Sequence, residues 1–276
     1  MEGDYIKMWD DFAVKGAKKY LGNKYSADNI VGLTGLAREH EIMRHLALKG
    51  GHRLLDVGCA SGRQVFMAAP FCEETVGVDV GAPFIEMAKK YAAENEVANV
   101  EFLRTDGGKL PFPDGSFDRL ICSEVIEHVS DERVFISDLR RVLEPGGIAV
   151  FTVPNWNSRG TLWRRLLNGF RPFKFEPLQT FSNEEIKNHG DAHLRQFSLP
   201  EFIALAESVG FKILYAGGAS FIDGPKIGPI LERTNRFKLM QKLSFGLEKL
   251  LARIPFFRRL GRQIVLQVRK PGGSMD

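Results

Sequence analysis

The sequence has few cysteines, and none in a pattern that would cross-link the chain or bind a metal. Of the 276 residues only Cys59, Cys72 and Cys122 are cysteine, an odd number without metal-ligand spacing. Cys59 and Cys122 stand in apolar runs, where cysteine usually behaves as a small hydrophobic side chain. This scarcity excludes a disulfide-stapled scaffold and predicts a reducing compartment.

Long hydrophobic runs are also missing. No stretch of about 18 consecutive apolar residues occurs, so no membrane-spanning helix is expected. The first residues, MEGDYIKMWDD, are too polar and acidic for a signal peptide, and neither a repeat nor a low-complexity segment is found. With 44% hydrophobic and 26% charged residues, the composition predicts a soluble, cytoplasmic protein with one large α/β domain that can carry insertions.

The excess of positive over negative charge is confined to one part of the chain. The net charge is +4, but residues 225–270 hold twelve Lys or Arg and only two Glu, a local balance of +10. The remaining residues are therefore net negative. A protein that binds nucleic acid through its core would spread positive charge over a broad face, so nucleic acid is not the expected partner.

Apolar runs bounded by turn residues alternate along the chain with helical patterns. This alternation predicts a parallel sheet flanked by helices, the arrangement of an α/β fold. The seven predicted strands are His52–Gly58, Thr75–Val80, Val100–Asp106, Phe117–Glu124, Gly147–Pro154, Phe211–Gly217 and Gln263–Lys270. The predicted helices are Arg63–Ala69, Ala82–Glu94, Asp131–Leu143 and Leu199–Val209, and residues 1–50 also look helical.

Turn chemistry marks two of these boundaries. Residues 144–147, Glu-Pro-Gly-Gly, predict a tight turn into a strand, because Pro fixes φ and Gly permits positive φ. Ser198 and Glu201 form a capping-box pattern at the start of the last predicted helix, with Pro200 in its first turn.

Two long connections, residues 155–197 and 218–261, interrupt the alternation. Connections of this length are usually lids or binding elements. The predicted organisation is an N-terminal helical segment (1–50), a core (51–217) that includes the cap insertion 155–197, a basic amphipathic insertion (218–261), and a last strand with a tail (262–276).

The first predicted strand runs into a glycine turn and a helix start in LLDVGCASG, residues 54–62. Glycine lets the backbone approach a ligand closely, and a helix amino terminus offers free N–H groups, so a nucleotide-like ligand fits here. A plain strand-to-helix turn is the alternative. The spacing of Gly58 and Gly62 fails the G-x-G-x-x-G pattern, which argues against a dinucleotide fold.

Two acidic residues follow at the ends of the next two predicted strands. Asp79, in VGVDV, stands 21 residues after Gly58, close to the spacing at which an acidic residue binds ribose hydroxyls in nucleotide folds. Asp106, beside Gly107, can accept a hydrogen bond from an adenine amino group. The alternatives are a surface aspartate at a strand end and an aspartate in a loop turn.

These three stretches, with LRRVLEPGG at residues 139–147, resemble the class I S-adenosylmethionine (SAM)-dependent methyltransferases. More narrowly, they are similar to the ubiquinone/menaquinone-biosynthesis branch with its methyltransferase type 11 domain. The resemblance covers residues 50–154 well, extends weakly to 217, and leaves both insertions unmatched. It implies a Rossmann-like seven-stranded sheet, antiparallel in its last strand, with the insertions covering the carboxyl ends of the strands.

The resemblance also implies how SAM would be bound. Asp56 would orient the glycine loop or meet the methionine amino group, Asp79 would bind both ribose hydroxyls, and Asp106 would bind adenine. Ser123 would lie near the sulfonium. Ala60 departs from the family, which often has glycine there. The implied cofactor-binding residues are Asp56, Gly58, Cys59, Gly62, Asp79, Val80, Asp106, Gly107 and Ser123.

Glu124, Glu127 and His128 follow the fourth strand, where family members place the acceptor. Three interpretations are open. Glu127 and His128 can simply cap and orient the loop. His128 can act as a general base for an acceptor hydroxyl, with Glu124 as the second candidate catalytic residue. Glu-x-x-Glu-His also resembles the motif of two metal-assisted groups, the small-RNA 2′-O-methyltransferases and the quinone-pathway O-methyltransferases. This resemblance implies Mg²⁺ or Mn²⁺ on Glu124, Glu127 and His128, with His189 or His193 as a fourth ligand.

Residues 229–254 are patterned as an amphipathic helix whose apolar stripe lies opposite a basic side. The helix can pack on the protein's own core, on a dimer mate or on anionic lipid, so peripheral contact with the inner membrane face through 229–260 is one hypothesis. Residues 155–175, with five aromatics among Arg and Lys, can line an acceptor pocket, touch a membrane surface, stack nucleic-acid bases or pack a small cap core. The stripe consists of Met240, Leu243, Leu247, Leu250 and Ile254.

The sequence thus predicts an enzyme that transfers a methyl group from SAM to oxygen or carbon of a small-molecule acceptor, hydrophobic or lipid-like. Two alternatives remain. One is an RNA methyltransferase, suggested by Glu-x-x-Glu-His and the basic segment, and the other is a SAM-binding subunit without catalysis. The acceptor and the oligomeric state are left open.

Overall fold

The computed structural model describes residues 30–155, 195–220 and 261–272, together with 246–247, 250–251 and 254. These residues belong to two compact units. The larger unit holds residues 42–155, 195–217 and 264–272, and the smaller unit holds the remaining described residues. The predicted boundaries of the N-terminal segment and of the two insertions stay predictions.

The described residues form strands and helices in the predicted alternation. The strands are β1 (His52–Val57), β2 (Cys72–Asp79), β3 (Val100–Arg104), β4 (Phe117–Ser123), β5 (Leu143–Pro154), β6 (Lys212–Ala219) and β7 (Gln263–Arg269). The α-helices are α1 (Ile30–Leu46), α2 (Arg63–Ala68), α3 (Ala82–Glu94), α4 (Glu132–Val142) and α5 (Leu199–Ser208), with 3₁₀ turns at Ala69–Phe71 and Ile126–His128. The seven predicted strands and four predicted helices are confirmed, and α1 confirms helical structure in the later part of residues 1–50.

All seven strands join one sheet in the order β3-β2-β1-β4-β5-β7-β6. Pairing is parallel from β3 through β2, β1 and β4 to β5. β7 runs antiparallel to β5. Lys270, which follows the last residue of β7, exchanges backbone hydrogen bonds with Gly146 (2.8 Å) and Gly147 (3.0 Å) near the beginning of β5. The sheet is therefore mixed, as the resemblance implied.

The predicted Glu-Pro-Gly-Gly turn lies inside β5 and not before it. β4 pairs with β5 at Phe117 with Leu143 and next at Arg119 with Ile148, so residues 144–147 bulge out of the ladder opposite one residue of β4. β5 therefore begins four residues before the predicted Gly147. The turn chemistry is real, but the strand resumes its pairing on both sides of it.

Both faces of the sheet are covered, so strand residues are buried on either side, as is usual where strands pair in parallel. In the main core, Phe197 and Phe202 pack with ring centroids 5.2 Å apart, and Phe151 meets Phe211 edge to face at 5.6 Å. The predicted capping box at the start of α5 is confirmed, because the backbone N–H and the hydroxyl of Ser198 both donate to the Glu201 carboxylate, at 2.8 and 2.6 Å. This cap fixes the beginning of the helix that carries Phe202 into the core.

Several predicted features lie outside the described residues, namely the aromatic run in 156–175, His189, His193 and most of 229–254. Three members of the predicted stripe are described and exposed: Leu247 (43%), Leu250 (54%) and Ile254 (37%). Leu247 and Leu250 are helical. Within the part of the chain that the structure describes, no helix combines the length and apolar character needed to cross a bilayer.

One arginine of α4 holds the loop that precedes β4. The Arg141 guanidinium donates to the carbonyl oxygens of Leu110 (2.9 Å) and Phe112 (2.6 Å). It also donates to the carboxylates of Asp138 (2.7 Å) and Asp114 (3.0 Å). Asp138 in turn accepts the backbone N–H of Leu110 at 2.6 Å. Arg141 and Asp138 therefore satisfy backbone groups of the loop and fix it against α4.

Replacing Arg141 by methionine should lower the free energy of unfolding by about 2–4 kcal/mol, because several charge-assisted hydrogen bonds are lost together. Urea denaturation measures the change. Arg53→Met is the matched control, since Arg53 pairs with Glu74 at 2.9 Å but both side chains are well exposed. Its loss should cost about 1 kcal/mol or less. Equal losses in the two variants would contradict the role given to Arg141.

Candidate active site

The carboxyl end of β1 turns sharply into the loop Gly58–Gly62, here called the glycine loop. The backbone N–H groups of Gly58 and Cys59 both donate to the carbonyl oxygen of Val78 on β2, at 2.8 and 3.0 Å. Gly58 has a left-handed φ of 78°, and a Cβ there would lie 2.2 Å from Cγ2 of Val125. Glycine is therefore required at this position both by the backbone conformation and by the close approach of the segment after β4.

Ala60 occupies the middle of the glycine loop with a left-handed φ of 45°. This conformation costs a residue with a side chain roughly 1–2 kcal/mol, which explains why glycine is favoured here. The backbone N–H of Ala60 donates to Oδ2 of Asp79 at 2.9 Å, while Oδ1 accepts the N–H of Gly81 at 2.7 Å. The Asp79 carboxylate is thereby held between the glycine loop and the start of α3.

The ends of β2 and β3 bring together Asp79, Val80, Asp106 and Gly107. The two strand ends are joined by a backbone hydrogen bond of 2.9 Å from Thr105 to Asp79. Val80 is 56% exposed, and its Cγ1 lies 3.3 Å from the position that a Cβ on Gly107 would occupy. Two carboxylates, an apolar side chain and a bare backbone therefore lie at one edge of the sheet. This combination suits the hydroxyls, the flat ring and the amino group of adenosine.

Asp56 places a carboxyl group inside the sheet, one residue before the end of β1. The residue is fully buried, and neither carboxyl oxygen has a hydrogen-bond partner among the described residues. Burial, and secondarily the charge of Asp79, raises the pKa of Asp56 from 3.8 to about 8. A buried acceptor without a partner is costly, and a cationic ligand that reached it would remove the cost. The group therefore suits the amino group of a bound amino-acid moiety.

β4 ends beside a buried threonine of β5. Ser123 Oγ lies 2.8 Å from Oγ1 of Thr152, which lies 3.2 Å from Oε1 of Glu124. Glu124 has a left-handed φ of 59°, and its N–H donates to the Thr152 carbonyl at 2.9 Å. Such a conformation is costly for a residue other than glycine and is common at functional sites. Sequence reasoning missed Thr152, although a hydroxyl residue within the apolar run IAVFTVP was a usable signal.

Glu127 and His128 lie in the 3₁₀ turn that follows. The Glu127 side chain is 1% exposed, and its Oε1 lies 3.9 Å from Nε2 of the His128 imidazole, which is 38% exposed. Glu124 instead meets Thr152. Among the described residues, no group of three or more His, Cys, Asp or Glu side chains is placed to hold a metal ion, and His193 lies outside them. The metal set suggested by the motif is therefore not assembled in this part of the chain.

The first insertion leaves and re-enters the sheet through a neck. Asn155 and Phe197 form a parallel bridge across its two ends. The backbone N–H of Arg195 donates to the carbonyl of Glu127 at 3.2 Å, and its guanidinium pairs with Glu132 and lies 5.2 Å from the centre of the Phe197 ring. Arg195, which sequence reasoning also missed, therefore ties the neck to the turn that carries Glu127 and His128.

The second insertion has a comparable neck in the smaller unit. The backbone N–H of Arg262 donates to the Ser220 carbonyl at 3.3 Å. A Cβ on Gly261 would lie 2.7 Å from both the nitrogen and the oxygen of Ala219. Only glycine allows the two ends to approach this closely.

Comparison with known proteins adds independent information. Residues 55–151 match the family model described as methyltransferase domain. The chain is 30% identical over 154 residues to the uncharacterized methyltransferase YcgJ of Bacillus subtilis, over 56% of this chain and 54% of YcgJ, so it spans about half the length of that relative. It is 27% identical over 204 residues to a "Probable S-adenosylmethionine-dependent methyltransferase" of Mycolicibacterium smegmatis, over 71% of this chain and 68% of that protein.

A solved structure shares the fold. A chain of the complex between the Haloferax volcanii Trm112 methyltransferase activator and a methyltransferase superposes with a TM-score of 0.59, over 95% of this chain and 97% of that chain. The identity is 16%, so this likeness speaks for the fold alone.

The relatives are named for different acceptors and different methylated atoms. Besides ubiquinone biosynthesis O-methylation, their names include sterol 24-C-methylation and phosphoethanolamine N-methylation. The ubiquinone branch is therefore one of several that this chain is similar to. The domain match begins at Leu55 in β1 and ends at Phe151 in β5, so it contains all the residues predicted to bind the cofactor. Residues 55–151 therefore match a methyltransferase domain, and the chain is similar to SAM-dependent methyltransferases.

Proposed function

We propose that this domain transfers the methyl group of SAM to an oxygen or carbon atom of a small acceptor that is hydrophobic or lipid-like. The observation that carries the donor part of the proposal is Asp56, a fully buried carboxyl without a hydrogen-bond partner among the described residues, two residues before the glycine loop. An amino-acid ligand beside that loop would supply the missing partner.

Different described residues would bind different parts of SAM. Asp79 would accept hydrogen bonds from the ribose hydroxyls, and Val80 would pack on the adenine ring. Asp106 would accept a hydrogen bond from the adenine amino group, and Asp56 would meet the methionine ammonium. SAM, when bound, supplies a methyl group on positively charged sulfur, which is already a good electrophile.

At the other end of the site, the task of the chain is to align an acceptor and to exclude water. His128 is partly exposed and would accept the proton of an acceptor hydroxyl. Carbon methylation of an electron-rich ring needs no such base. Among the described residues, Glu124, Glu127 and His128 form no metal-holding group.

Two observations support an acceptor that is apolar or lipid-like. Two relatives are named as a sterol 24-C-methyltransferase and a ubiquinone biosynthesis O-methyltransferase. Sterols and ubiquinone are apolar molecules. The exposed Leu247, Leu250 and Ile254 belong to a stripe in a strongly basic segment, a combination that suits a surface of anionic lipid. The basic residues of that segment's opposite side are Lys238, Lys242, Lys249 and Arg253.

Replacing Asp79 by alanine should weaken SAM binding about 100-fold, because hydrogen bonds from two hydroxyls to a charged carboxylate are lost. Isothermal titration calorimetry with SAM measures the affinity. Glu94→Ala removes an exposed carboxylate of α3 and should leave the affinity unchanged. No SAM binding by the wild type, or undiminished binding by Asp79→Ala, would refute the proposed donor site.

The stability of the ligand-free protein should carry the signature of Asp56. Its pKa is about 8 in the fold and 3.8 in the unfolded chain, so between these values only the folded protein keeps the proton. The free energy of unfolding should therefore fall as pH rises from about 4 to about 8, and Asp56→Asn should flatten that fall. Urea denaturation across this range measures the effect.

The matched control for this series is Glu101→Gln, which removes an exposed carboxylate of β3. Its pH profile should follow that of the wild type. Parallel profiles for the wild type and Asp56→Asn would show that Asp56 is not the titrating group.

If the basic segment meets lipid, the protein should sediment with vesicles of phosphatidylcholine and phosphatidylserine but not with phosphatidylcholine alone. The double variant Leu247→Glu/Leu250→Glu should stay in the supernatant, because apolar area that enters the interface is replaced by charge. Val134→Glu alters an exposed apolar residue of α4 and should sediment like the wild type. Sedimentation that is indifferent to anionic lipid, or to the double substitution, would exclude this membrane contact.

A further inference from the structure

We propose that Ser123, Thr152 and Glu124 form a hydrogen-bonded chain that strengthens binding of the charged donor SAM relative to its uncharged product, S-adenosylhomocysteine. The inference rests on the proposed function, since it concerns the donor end of the same site. Thr152 is the central member. It is fully buried and acts through its two neighbours, so it is a positioning residue and not a catalytic one.

The direction of the hydrogen bonds follows from the chemistry of the groups. An ionised carboxylate only accepts, so Thr152 donates its single hydroxyl proton to Oε1 of Glu124 across 3.2 Å. The 2.8 Å contact between Ser123 Oγ and Thr152 Oγ1 then requires Ser123 to be the donor. With its proton committed to Thr152, the Ser123 hydroxyl presents only lone pairs to any further partner.

Lone pairs backed by a carboxylate favour a positively charged partner. A sulfonium carries a positive charge and polarises the C–H bonds of its methyl group, which can then contact an oxygen acceptor. The thioether of S-adenosylhomocysteine has neither the charge nor the methyl group. The same chain therefore contributes to binding of the donor and contributes little to binding of the product.

The location of the hydrogen-bonded chain in the fold supports a role in binding the donor SAM. β4, which ends in Ser123, is the sheet neighbour of β1, which runs into the glycine loop. Two residues after Ser123, the Val125 side chain occupies the space beside Gly58 that a Cβ would need. The residues of the hydrogen-bonded chain therefore adjoin the glycine loop, which would bind the methionine part of SAM.

The backbone conformation at Glu124 gives the chain its stiffness. A left-handed residue with a side chain persists only where its surroundings enforce the conformation. Here β5 enforces it twice through Thr152, whose carbonyl accepts the Glu124 N–H at 2.9 Å and whose hydroxyl holds the Glu124 carboxylate. One residue of β5 thus positions both the backbone and the side chain of Glu124.

The ratio of the dissociation constants of SAM and S-adenosylhomocysteine tests the inference without knowledge of the acceptor. Thr152→Val removes the hydroxyl and keeps the shape, and should shift the ratio about tenfold toward the product, mainly through weaker SAM binding. Thr152→Ser keeps the hydroxyl and should retain the wild-type ratio. Titration calorimetry with each ligand measures both constants.

Thr75→Val is the matched control, because Thr75 is also fully buried, on β2, but is not a member of the hydrogen-bonded chain. Its ratio should equal that of the wild type, which separates the proposed role from a general effect of losing a buried hydroxyl. Glu124→Gln provides a second arm if Thr152→Val does not fold, as thermal denaturation would reveal. It should shift the ratio in the same direction as Thr152→Val.

An unchanged ratio in folded Thr152→Val, or in Glu124→Gln where Thr152→Val does not fold, would overturn the inference while leaving the proposed function intact. Failure of the wild type to bind SAM would instead overturn the proposed function. The two failures are therefore distinguishable in the same set of titrations.

Discussion

The parallel pairing of β1 with β2 on one side and with β4 on the other determines where the functional groups of this domain lie. The carboxyl ends of these strands meet at one edge of the sheet, so the segments that follow them are forced together. The contact between Gly58 and Val125 is the closest expression of this constraint. It joins the loop that would hold the donor to the segment that would receive the acceptor.

The same edge concentrates features that reduce stability. Asp56 is a buried carboxyl without a partner among the described residues, and Ala60 and Glu124 both adopt left-handed backbone conformations. A sheet built for stability alone would have an apolar residue at the first position and glycine at the other two. Ala47, Glu96 and Ser220 also have positive φ, outside the segments that follow β1 and β4. At this edge the costs fall beside the proposed donor site, where ligand binding can relieve them.

Most of the fold could be predicted because its determinants are local. Apolar runs, turn residues and the Ser198–Glu201 cap each indicate an element without reference to the rest of the chain, and the position of Asp79 at the end of β2 followed from them. β3 ends at Arg104, so Asp106, the predicted end of this strand, lies two residues beyond it. The start of β5 could not be predicted, because the pairing of Leu143 with Phe117 is a tertiary contact that overrides the turn chemistry next to it.

The missing parts of the site have the same origin. Thr152 meets Ser123 and Glu124 only through the register between β4 and β5, and Arg195 meets Glu127 and Glu132 only after a long insertion has returned to the sheet. No spacing in the sequence encodes either meeting. Conversely, Glu124, Glu127 and His128 are close in sequence, yet the turn sends Glu124 to Thr152 and Glu127 into the interior.

The neck formed by Asn155 and Phe197 has a consequence for how such a domain diversifies. Where the two ends of an insertion are held together, the length of the insertion changes the folding free energy only with the logarithm of the loop size. Residues between the ends can be exchanged, lengthened or shortened while the sheet beneath them keeps its register. New acceptors can thus be accommodated in evolution by changes confined to the inserted residues beyond the neck, while the donor site on the sheet is kept.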